Sequence, residues 1–166
     1  MARQLWLLRH ADAEPHGVKP DARRALTELG ERQARVAGAA LARIKPRIDR
    51  ALVSPKVRAL QTAEIAAAAA GGLLPALQSH APAASGYDTA QALVDLDGAG
   101  TDGHLLVVGH EPDFAAIVAA LTGAAVDLKK GGLAVVRLQD VGGGELVLLL
   151  RPAELALLAG QPTVDV

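Results

Sequence analysis

Short apolar runs alternate with longer helical patterns along most of this chain, and that alternation constrains the fold more than any other feature. Residues 4–8, 51–53 and 104–108 have the length and apolar content of buried strands. Helical patterns over residues 27–44 and 57–70 follow the first two of these runs. Strands that alternate with helices predict an α/β domain with a mostly parallel central sheet.

The C-terminal third departs from this alternation. Residues 133–138 and 145–150 are apolar runs on either side of a glycine-rich turn at 142–144, which is the pattern of a hairpin, and a short helix is predicted from Arg151-Pro152. We therefore expect a three-layer α/β/α sandwich with an antiparallel contribution near the C-terminus. Because the chain shows no repeat and no linker, residues 1–166 are predicted to form a single domain.

The middle of the chain is harder to assign. Residues 73–78 have an extended pattern, and Asp88 is suited to cap a short helix. Pro112 is expected in the first turn of a helix that ends near residue 121, where its missing N–H costs nothing.

Composition narrows the classes of function. The chain has no cysteine, which excludes a disulfide framework, a thiolate metal site and a cysteine nucleophile. No apolar stretch approaches the roughly 18 residues of a membrane span, and the N-terminal apolar run is too short for a signal peptide. We therefore expect a cytoplasmic protein with no membrane association.

The net charge of −1 conceals an uneven distribution of charge. Residues 1–60 hold 13 Lys and Arg against 6 Asp and Glu, whereas the rest of the chain holds 4 against 12. A basic segment in a nearly neutral protein favours a local anion site over a nucleic-acid surface.

Three predicted strands lead directly into residues with useful chemistry. The first ends at Arg9-His10, the second ends shortly before Arg58, and a later strand ends just before His110. In open α/β sheets, ligands bind outside the carboxyl ends of the strands, so these side chains are expected to converge. A single Arg-His pair carries little information, and the prediction depends on the three segments together.

The residue types at these strand ends suit a phosphoryl group better than a metal ion. Guanidinium groups repel cations and cannot coordinate them, whereas they offer charged, bidentate donors to phosphate oxygens. A neutral imidazole can attack phosphorus, and a second, protonated imidazole can donate to an oxygen in the transition state. The residues therefore predict a phosphoryl-transfer site that needs no metal and no organic cofactor.

Four segments in a fixed order resemble the motifs of the histidine phosphatase superfamily: LLRHADAE, RALTELGERQA, LVSPKVRALQTAE and VVGHEPDF. Within that superfamily, the short length and the pattern are similar to SixA-type phosphohistidine phosphatases, over roughly residues 3–122. The resemblance implies a phosphoglycerate mutase-like fold and a covalent phosphohistidine intermediate.

The resemblance also implies roles for individual residues. His10 would be the nucleophile that becomes phosphorylated, and Arg9 and Arg58 would bind the phosphate. His110 would be the second histidine of the pocket. Arg24, just before LTELG, would either help to hold the phosphate or lie at the surface.

Two positions differ from the wider superfamily. Ala11 follows the nucleophile where most members have glycine, and SixA-type sequences accept alanine there. Residues 73–88 contain no glutamate, although mutase-like members carry a glutamate proton donor in the corresponding insertion. Glu111 could instead protonate a leaving alkoxide, or it could simply favour the adjacent helix N-terminus electrostatically.

Three histidines lie outside these motifs. His16 is in the loop after the nucleophile, where it could contact a substrate, and His80 and His104 are expected to have surface or capping roles.

The sequence thus predicts a metal-independent phosphatase that acts on phosphohistidine in a protein or on a small phosphomonoester. A phosphomutase is the alternative within enzymology, although the short middle segment leaves little material for a lid that excludes water. A module that binds a phosphorylated ligand without turnover is the alternative outside it. The expected partner is a phosphorylated protein or metabolite and not a nucleic acid, with the oligomeric state left open.

Overall fold

A computed structural model describes residues 2–163, which form six strands, five α-helices and two short 3₁₀ segments. The strands are β1 (Gln4–Arg9), β2 (Arg50–Val53), β3 (Leu77–Ser79), β4 (His104–Gly109), β5 (Leu133–Leu138) and β6 (Gly144–Leu150). The helices are α1 (Glu28–Ile44), α2 (Val57–Ala69), α3 (Thr89–Asp97), α4 (Asp113–Thr122) and α5 (Pro152–Ala159). The 3₁₀ segments are Asp21–Arg23 and Ala81–Ala84.

All six strands belong to one sheet, in the order β3-β2-β4-β1-β5-β6. The first four in that order are parallel to their neighbours, whereas β5 pairs antiparallel with both β1 and β6. The predicted sandwich with a mostly parallel sheet and an antiparallel C-terminal contribution is confirmed. β1 and β4 lie side by side at the centre, so the two histidine-bearing strand ends are neighbours.

Alternating side chains of the strands divide the core into two layers. In β1, Trp6 and Leu8 pack with α1, α2 and α5, whereas Leu5 and Leu7 pack on the opposite face with α3 and α4. This period of two is what a strand covered on both faces by helices requires. The sheet is therefore held from both sides, and its carboxyl edge remains open for a ligand.

Glycine at two positions lets α1 approach its neighbours closely. A Cβ on Gly38 would lie 2.2 Å from the carbonyl oxygen of Ala66 in α2. A Cβ on Gly30 would lie 1.9 Å from the carbonyl oxygen of Asp12, in the loop that follows β1. Both distances are far below van der Waals contact, so only glycine fits. Thr27 caps this end of α1 by accepting from the N–H of Gly30.

Some predicted boundaries differ from the observed ones. β3 begins only at Leu77, because Pro75 has no N–H to donate to a ladder. Pro112 is the residue before α4 rather than part of its first turn, and its carbonyl accepts from the N–H of Ala116. The prediction that Asp88 caps a helix is confirmed, since its side chain accepts from the N–H of Gln91.

Within residues 2–163, no helix is long and apolar enough to cross a membrane.

Candidate active site

The carboxyl ends of β1, β2 and β4 border a cavity of about 320 Å³. This volume is at the small end of the roughly 300–1,000 Å³ typical of small-molecule sites. All six site residues singled out in the sequence line it: Arg9, His10, Arg24, Arg58, His110 and Glu111. Lys56, Lys130 and residues 84–86 complete much of the wall.

His10 directly follows β1 and is held on both sides of its ring. Its Nδ1 lies 2.8 Å from the carbonyl oxygen of Ala11, and its Nε2 lies 3.3 Å from Nε of Arg58. A carbonyl only accepts and a guanidinium only donates, so Nδ1 carries the proton and Nε2 carries the lone pair. The nitrogen that can act as a nucleophile is therefore Nε2.

Burial, together with the positive charges of Arg58 and Arg9, lowers the pKa of His10 to about 4. The side chain is 7% exposed. At neutral pH the imidazole is uncharged, which is the state in which a histidine nitrogen can attack an electrophile.

Arg9 and Arg58 approach His10 from different parts of the fold. Arg58 lies in the first turn of α2, and its Nη1 donates to the carbonyl oxygen of Asp21 at 2.8 Å. Nη1 of Arg9 donates to the carbonyl oxygen of Leu128 at 2.8 Å. Nε of Arg9 is buried and has no hydrogen-bond partner among residues 2–163. Burial lowers the pKa of both arginines, although a guanidinium stays charged.

His110 faces His10 across the cavity, with ring centroids 5.1 Å apart. Its Nε2 lies 2.7 Å from Oγ of Ser54, which follows β2. Its Nδ1 is buried and unpartnered among the described residues. Burial lowers the pKa of His110 to about 3, with smaller contributions from His10 and Arg58. The ring is therefore neutral when the cavity is empty.

Two hydroxyl side chains support this arrangement and were not singled out from the sequence. Ser54 orients His110, as described above. Thr62, in α2, accepts from the N–H of Ala11 at 3.0 Å and donates to the carbonyl oxygen of Arg58 at 2.7 Å. Thr62 thus ties the backbone after His10 to the helix that carries Arg58. Its position one helical turn after Arg58 was the only available sequence signal.

Glu111 fits both of the alternatives that the sequence left open. Burial raises the pKa of its carboxyl group, as a group that holds a proton for a leaving group requires. Its Oε1 also accepts from the N–H of Ala115 at 3.1 Å, which is a helix-capping contact. The geometry places the carboxyl at the cavity and at the start of α4 at once.

Arg24 lines the cavity with a side chain that is 9% exposed, so the surface alternative is wrong. Its Nη1 donates to the carbonyl oxygen of Glu14 at 2.7 Å, and its Nε and Nη2 donate to Oδ1 of Asp21. His16, in contrast, is largely exposed at the mouth of the cavity, 3.7 Å from the same oxygen.

The sequence predicted surface or capping roles for His80 and His104; in the structure, both side chains are largely shielded from solvent and contact other segments. Nδ1 of His104 lies 2.8 Å from the carbonyl oxygen of Arg47, with the residue buried at the start of β4. Nε2 of His80 lies 2.8 Å from Oδ2 of Asp95, and the hydroxyl of Tyr87 donates to that same oxygen. His80 and Tyr87 flank residues 84–86 in the sequence, so their contacts with Asp95 fix both ends of the segment that contributes to the cavity wall.

The donor set of the cavity suits an anion. Two buried nitrogens, Nε of Arg9 and Nδ1 of His110, have no hydrogen-bond partner among the described residues, and both residues line the cavity. Within residues 2–163, no group of three or more His, Cys, Asp or Glu side chains is placed to hold a metal ion. A tetrahedral oxyanion would satisfy the free donors.

Comparison with known proteins identifies the family to which the chain belongs. Residues 5–80 match the sequence model of the histidine phosphatase superfamily, branch 1. The chain is also 34% identical over 160 residues to an uncharacterised protein of Picosynechococcus sp. (strain ATCC 27264 / PCC 7002 / PR-6), across 90% of this chain and 96% of that protein. The chain belongs to the histidine phosphatase superfamily.

Solved structures show that the chain is SixA-like. The protein histidine phosphatase SixA, complexed with tungstate, matches with a TM-score of 0.81 and 27% identity, over 92% of this chain and 99% of that chain. The putative phosphohistidine phosphatase SixA from Nakamurella multipartitia matches with a TM-score of 0.77 and 26% identity, over 92% and 97%. The predicted phosphoglycerate mutase-like fold is confirmed by these matches.

Proposed function

We propose that this protein is a phosphatase that forms a covalent phosphohistidine on His10 and then hydrolyses it. The observation that carries the proposal is the neutral His10 ring, whose Nε2 lone pair faces a cavity with unpartnered donors from Arg9 and His110. Phosphoryl transfer needs a nucleophile and, beside it, hydrogen-bond donors that can bind the oxygens of the transferred group. Membership of the histidine phosphatase superfamily supports the same activity.

In the first step, Nε2 of His10 attacks phosphorus, and the bond from phosphorus to the leaving group breaks. The leaving group takes the bonding electron pair, and Glu111 supplies a proton when the leaving group is an alkoxide. Arg9 and Arg58 hold the phosphoryl oxygens. The Nδ1–H bond to the carbonyl oxygen of Ala11 stabilises the positive charge that develops on the His10 ring.

The bound phosphoryl group also changes the charge of His110. In the empty cavity the ring is neutral, but a phosphate dianion beside it favours the protonated form. The proton on Nδ1 then reaches a phosphoryl oxygen, while Nε2 keeps its contact with Ser54. The protonated ring would thus donate a hydrogen bond as negative charge accumulates on the phosphoryl oxygens in the transition state.

In the second step, water attacks phosphorus, and the bond between phosphorus and Nε2 of His10 breaks with return of the electron pair to the ring. When an alkoxide has left with the proton of Glu111, the proton lost by water restores that acid. When the leaving group needed no proton, the proton from water leaves on inorganic phosphate. Inorganic phosphate leaves. The side chains assigned to contact the phosphoryl group, the leaving group or water all line the cavity.

For the substrate, we propose phosphohistidine in a protein, with a small phosphomonoester as the other candidate. An imidazole leaving group needs little help from an acid, which fits a site with no insertion glutamate in residues 73–88. One wall is the short segment 84–86, which leaves the cavity open to an exposed side chain of another protein. The solved relative that is a protein histidine phosphatase binds tungstate, a tetrahedral oxyanion. A cytoplasmic location remains a prediction.

The decisive experiment is to trap the intermediate. Rapid quenching of the wild-type protein with a labelled aryl phosphate should yield an acid-labile, base-stable adduct on His10. The variant His10→Ala should form no adduct and lose at least about 10³-fold in turnover while it remains folded. The variant His104→Gln, which keeps a donor for Arg47 far from the cavity, serves as the matched control and should retain the adduct.

Three results would contradict the proposal. An adduct on another residue, or a competent His10→Ala protein, would remove His10 as the nucleophile. Binding of phosphorylated ligands with no turnover of any substrate would identify a binding module. Transfer of the label to an added alcohol in preference to water would identify a phosphomutase.

A further inference from the structure

The carboxylate of Asp21 accepts hydrogen bonds from three of the positively charged side chains around the cavity. Oδ1 of Asp21 accepts from Nε and Nη2 of Arg24, at 3.0 and 2.9 Å. Oδ2 of Asp21 accepts from Nζ of Lys56 at 2.9 Å and from Nη2 of Arg58 at 3.3 Å. The carbonyl oxygen of the same residue accepts from Nη1 of Arg58. Asp21 therefore contacts three of the five Arg and Lys side chains that line the cavity, the other two being Arg9 and Lys130.

The three cations line the cavity, whereas Asp21 itself is not among the lining residues. Asp21 lies in the short 3₁₀ segment that follows the nucleophile loop, and its side chain is 44% exposed. A ligand in the cavity would meet the guanidinium and ammonium groups, and a single carboxylate that does not line the cavity would hold all three.

The charges explain why such an anchor is needed. Three positive side chains within hydrogen-bond reach of one point repel one another, and each has several flexible torsions that must be fixed before it can bind an anion. Hydrogen bonds from Lys56 and Arg24 hold the pKa of Asp21 well below its usual range, so the carboxylate stays ionised. Three positive charges against one negative charge leave the wall net positive.

We propose that Asp21 is a positioning residue that holds Arg24, Lys56 and Arg58 in the geometry that binds the phosphoryl group. This inference rests on the proposed function, because it assumes that the cavity binds phosphate. It makes phosphate affinity depend on a residue that is itself an anion and that does not touch the ligand.

The direction in which Asp21→Asn changes the affinity for phosphate separates a positioning role from a purely electrostatic one. If Asp21 acted only through its charge, Asp21→Asn would remove a negative charge near the site and tighten the binding of an anion. If it acts by positioning, the same variant weakens binding, by roughly 10-fold or more, because the bonds it holds are charge-assisted. The two roles predict opposite changes.

The experiment is calorimetric titration of tungstate and inorganic phosphate into wild type, Asp21→Asn, Asp21→Glu and Asp127→Asn. Asp127 is the matched control, since its carboxylate pairs with exposed Lys129 and acts on Arg9 only through space. We expect weaker binding by Asp21→Asn, partial recovery in Asp21→Glu, and binding by Asp127→Asn that equals or exceeds that of wild type.

Kinetics provide a second readout that a purely structural defect would not reproduce. Active-site titration by burst amplitude should show an unchanged fraction of active Asp21→Asn protein, with the loss appearing in KM for an aryl phosphate. The effects of Asp21→Asn and Lys56→Gln should be non-additive, because both act on one cluster. If Asp21→Asn does not fold, the test for non-additive effects is made with Asp21→Glu and Lys56→Gln instead.

Equal or tighter phosphate binding by Asp21→Asn would overturn the inference and leave the proposed function intact. Additive effects of the two substitutions would also overturn it. If the wild-type protein itself binds neither oxyanion and turns over no phosphorylated substrate, the proposed function fails instead.

Discussion

The guanidinium of Arg58 directs its Nε–H at Nε2 of His10, 3.3 Å away, so the nitrogen that would attack phosphorus is already paired in the empty site. This contact fixes the tautomer of His10 and helps to keep the ring neutral. An incoming phosphoryl group that takes up the donors of Arg58 would release the lone pair. The contact thus identifies Nε2 as the ring nitrogen that carries the lone pair.

The first prediction concerns the acid limb of activity. Because the pKa of His10 is about 4, protonation removes the lone pair only below that value. We expect kcat/KM for an aryl phosphate to fall with a midpoint near pH 4, after correction for the ionisation of the substrate itself. A midpoint near the ordinary histidine value of about 6.5 would show that the ring is not desolvated as the structure indicates.

The same lowered pKa values affect stability. Between the folded pKa of about 4 for His10 and the unfolded value near 6.5, the unfolded chain binds more protons than the folded one. The free energy of unfolding should therefore decrease as the pH falls through that window, by up to about 1.4 kcal/mol per pH unit for each such histidine. Denaturant titrations should show a shallower pH dependence for His10→Gln than for wild type.

The second prediction distinguishes the two readings of Glu111. If its carboxyl group is the general acid, Glu111→Gln should slow alkyl phosphate hydrolysis by roughly 10²–10⁴-fold and leave phosphohistidine hydrolysis almost unchanged. The basic limb of the pH profile for alkyl substrates should disappear as well. Glutamine can still accept from the N–H of Ala115, so the helix contact is retained. An equal loss for all leaving groups would instead indicate an electrostatic or positioning role.

Wild-type kinetics alone bear on the same question. If the protein hardly hydrolyses alkyl phosphates, it has no effective donor, and phosphohistidine becomes the stronger substrate candidate.

The third prediction concerns metal dependence. The donors around the cavity are arginine, lysine and histidine side chains, which suit an anion. We expect aryl phosphate hydrolysis to proceed without added metal and to be unaffected by a chelator. Loss of activity in chelator that a divalent ion restores would contradict the proposed mechanism.

The fourth prediction uses the two close approaches of α1. An added Cβ at Gly38 would collide with α2, and one at Gly30 would collide with the backbone at Asp12, close to the nucleophile. Both alanine variants should be destabilised, by about 1–3 kcal/mol. Only Gly30→Ala should also lower kcat/KM in protein that remains folded. Thermal unfolding and active-site titration, measured on the same preparations, separate the two effects, and equal kinetic losses would contradict this expectation.

The predictions that succeeded from sequence depend on periodicity along the chain. β1 and β4 read as continuous apolar runs because both faces of each strand are covered by helices. The ends of parallel strands lie at one edge of a sheet, so the positions of Arg9 and His110 near one another followed from the strand assignments alone.

Contacts between distant segments were beyond sequence reasoning. Asp21 lies in a loop rich in charge, and nothing local shows that its carboxylate meets Lys56, 35 positions later. The contact between His80 and Asp95 was equally unforeseen, since a histidine after a short strand is usually exposed. Such contacts depend on the packing of loops, for which the sequence has no repeating pattern.

The backbone around the nucleophile depends on a late part of the chain. Gly131 donates its N–H to the carbonyl oxygens of Arg9 and His10, and Leu128 accepts from the Arg9 side chain. β1 is also paired on both sides by strands that begin at His104 and Leu133. At a synthesis rate of roughly 5–20 residues per second, these partners of β1 are therefore made several seconds after β1 itself. His10 is among the first residues synthesised, but its surroundings are completed only when most of the chain has emerged.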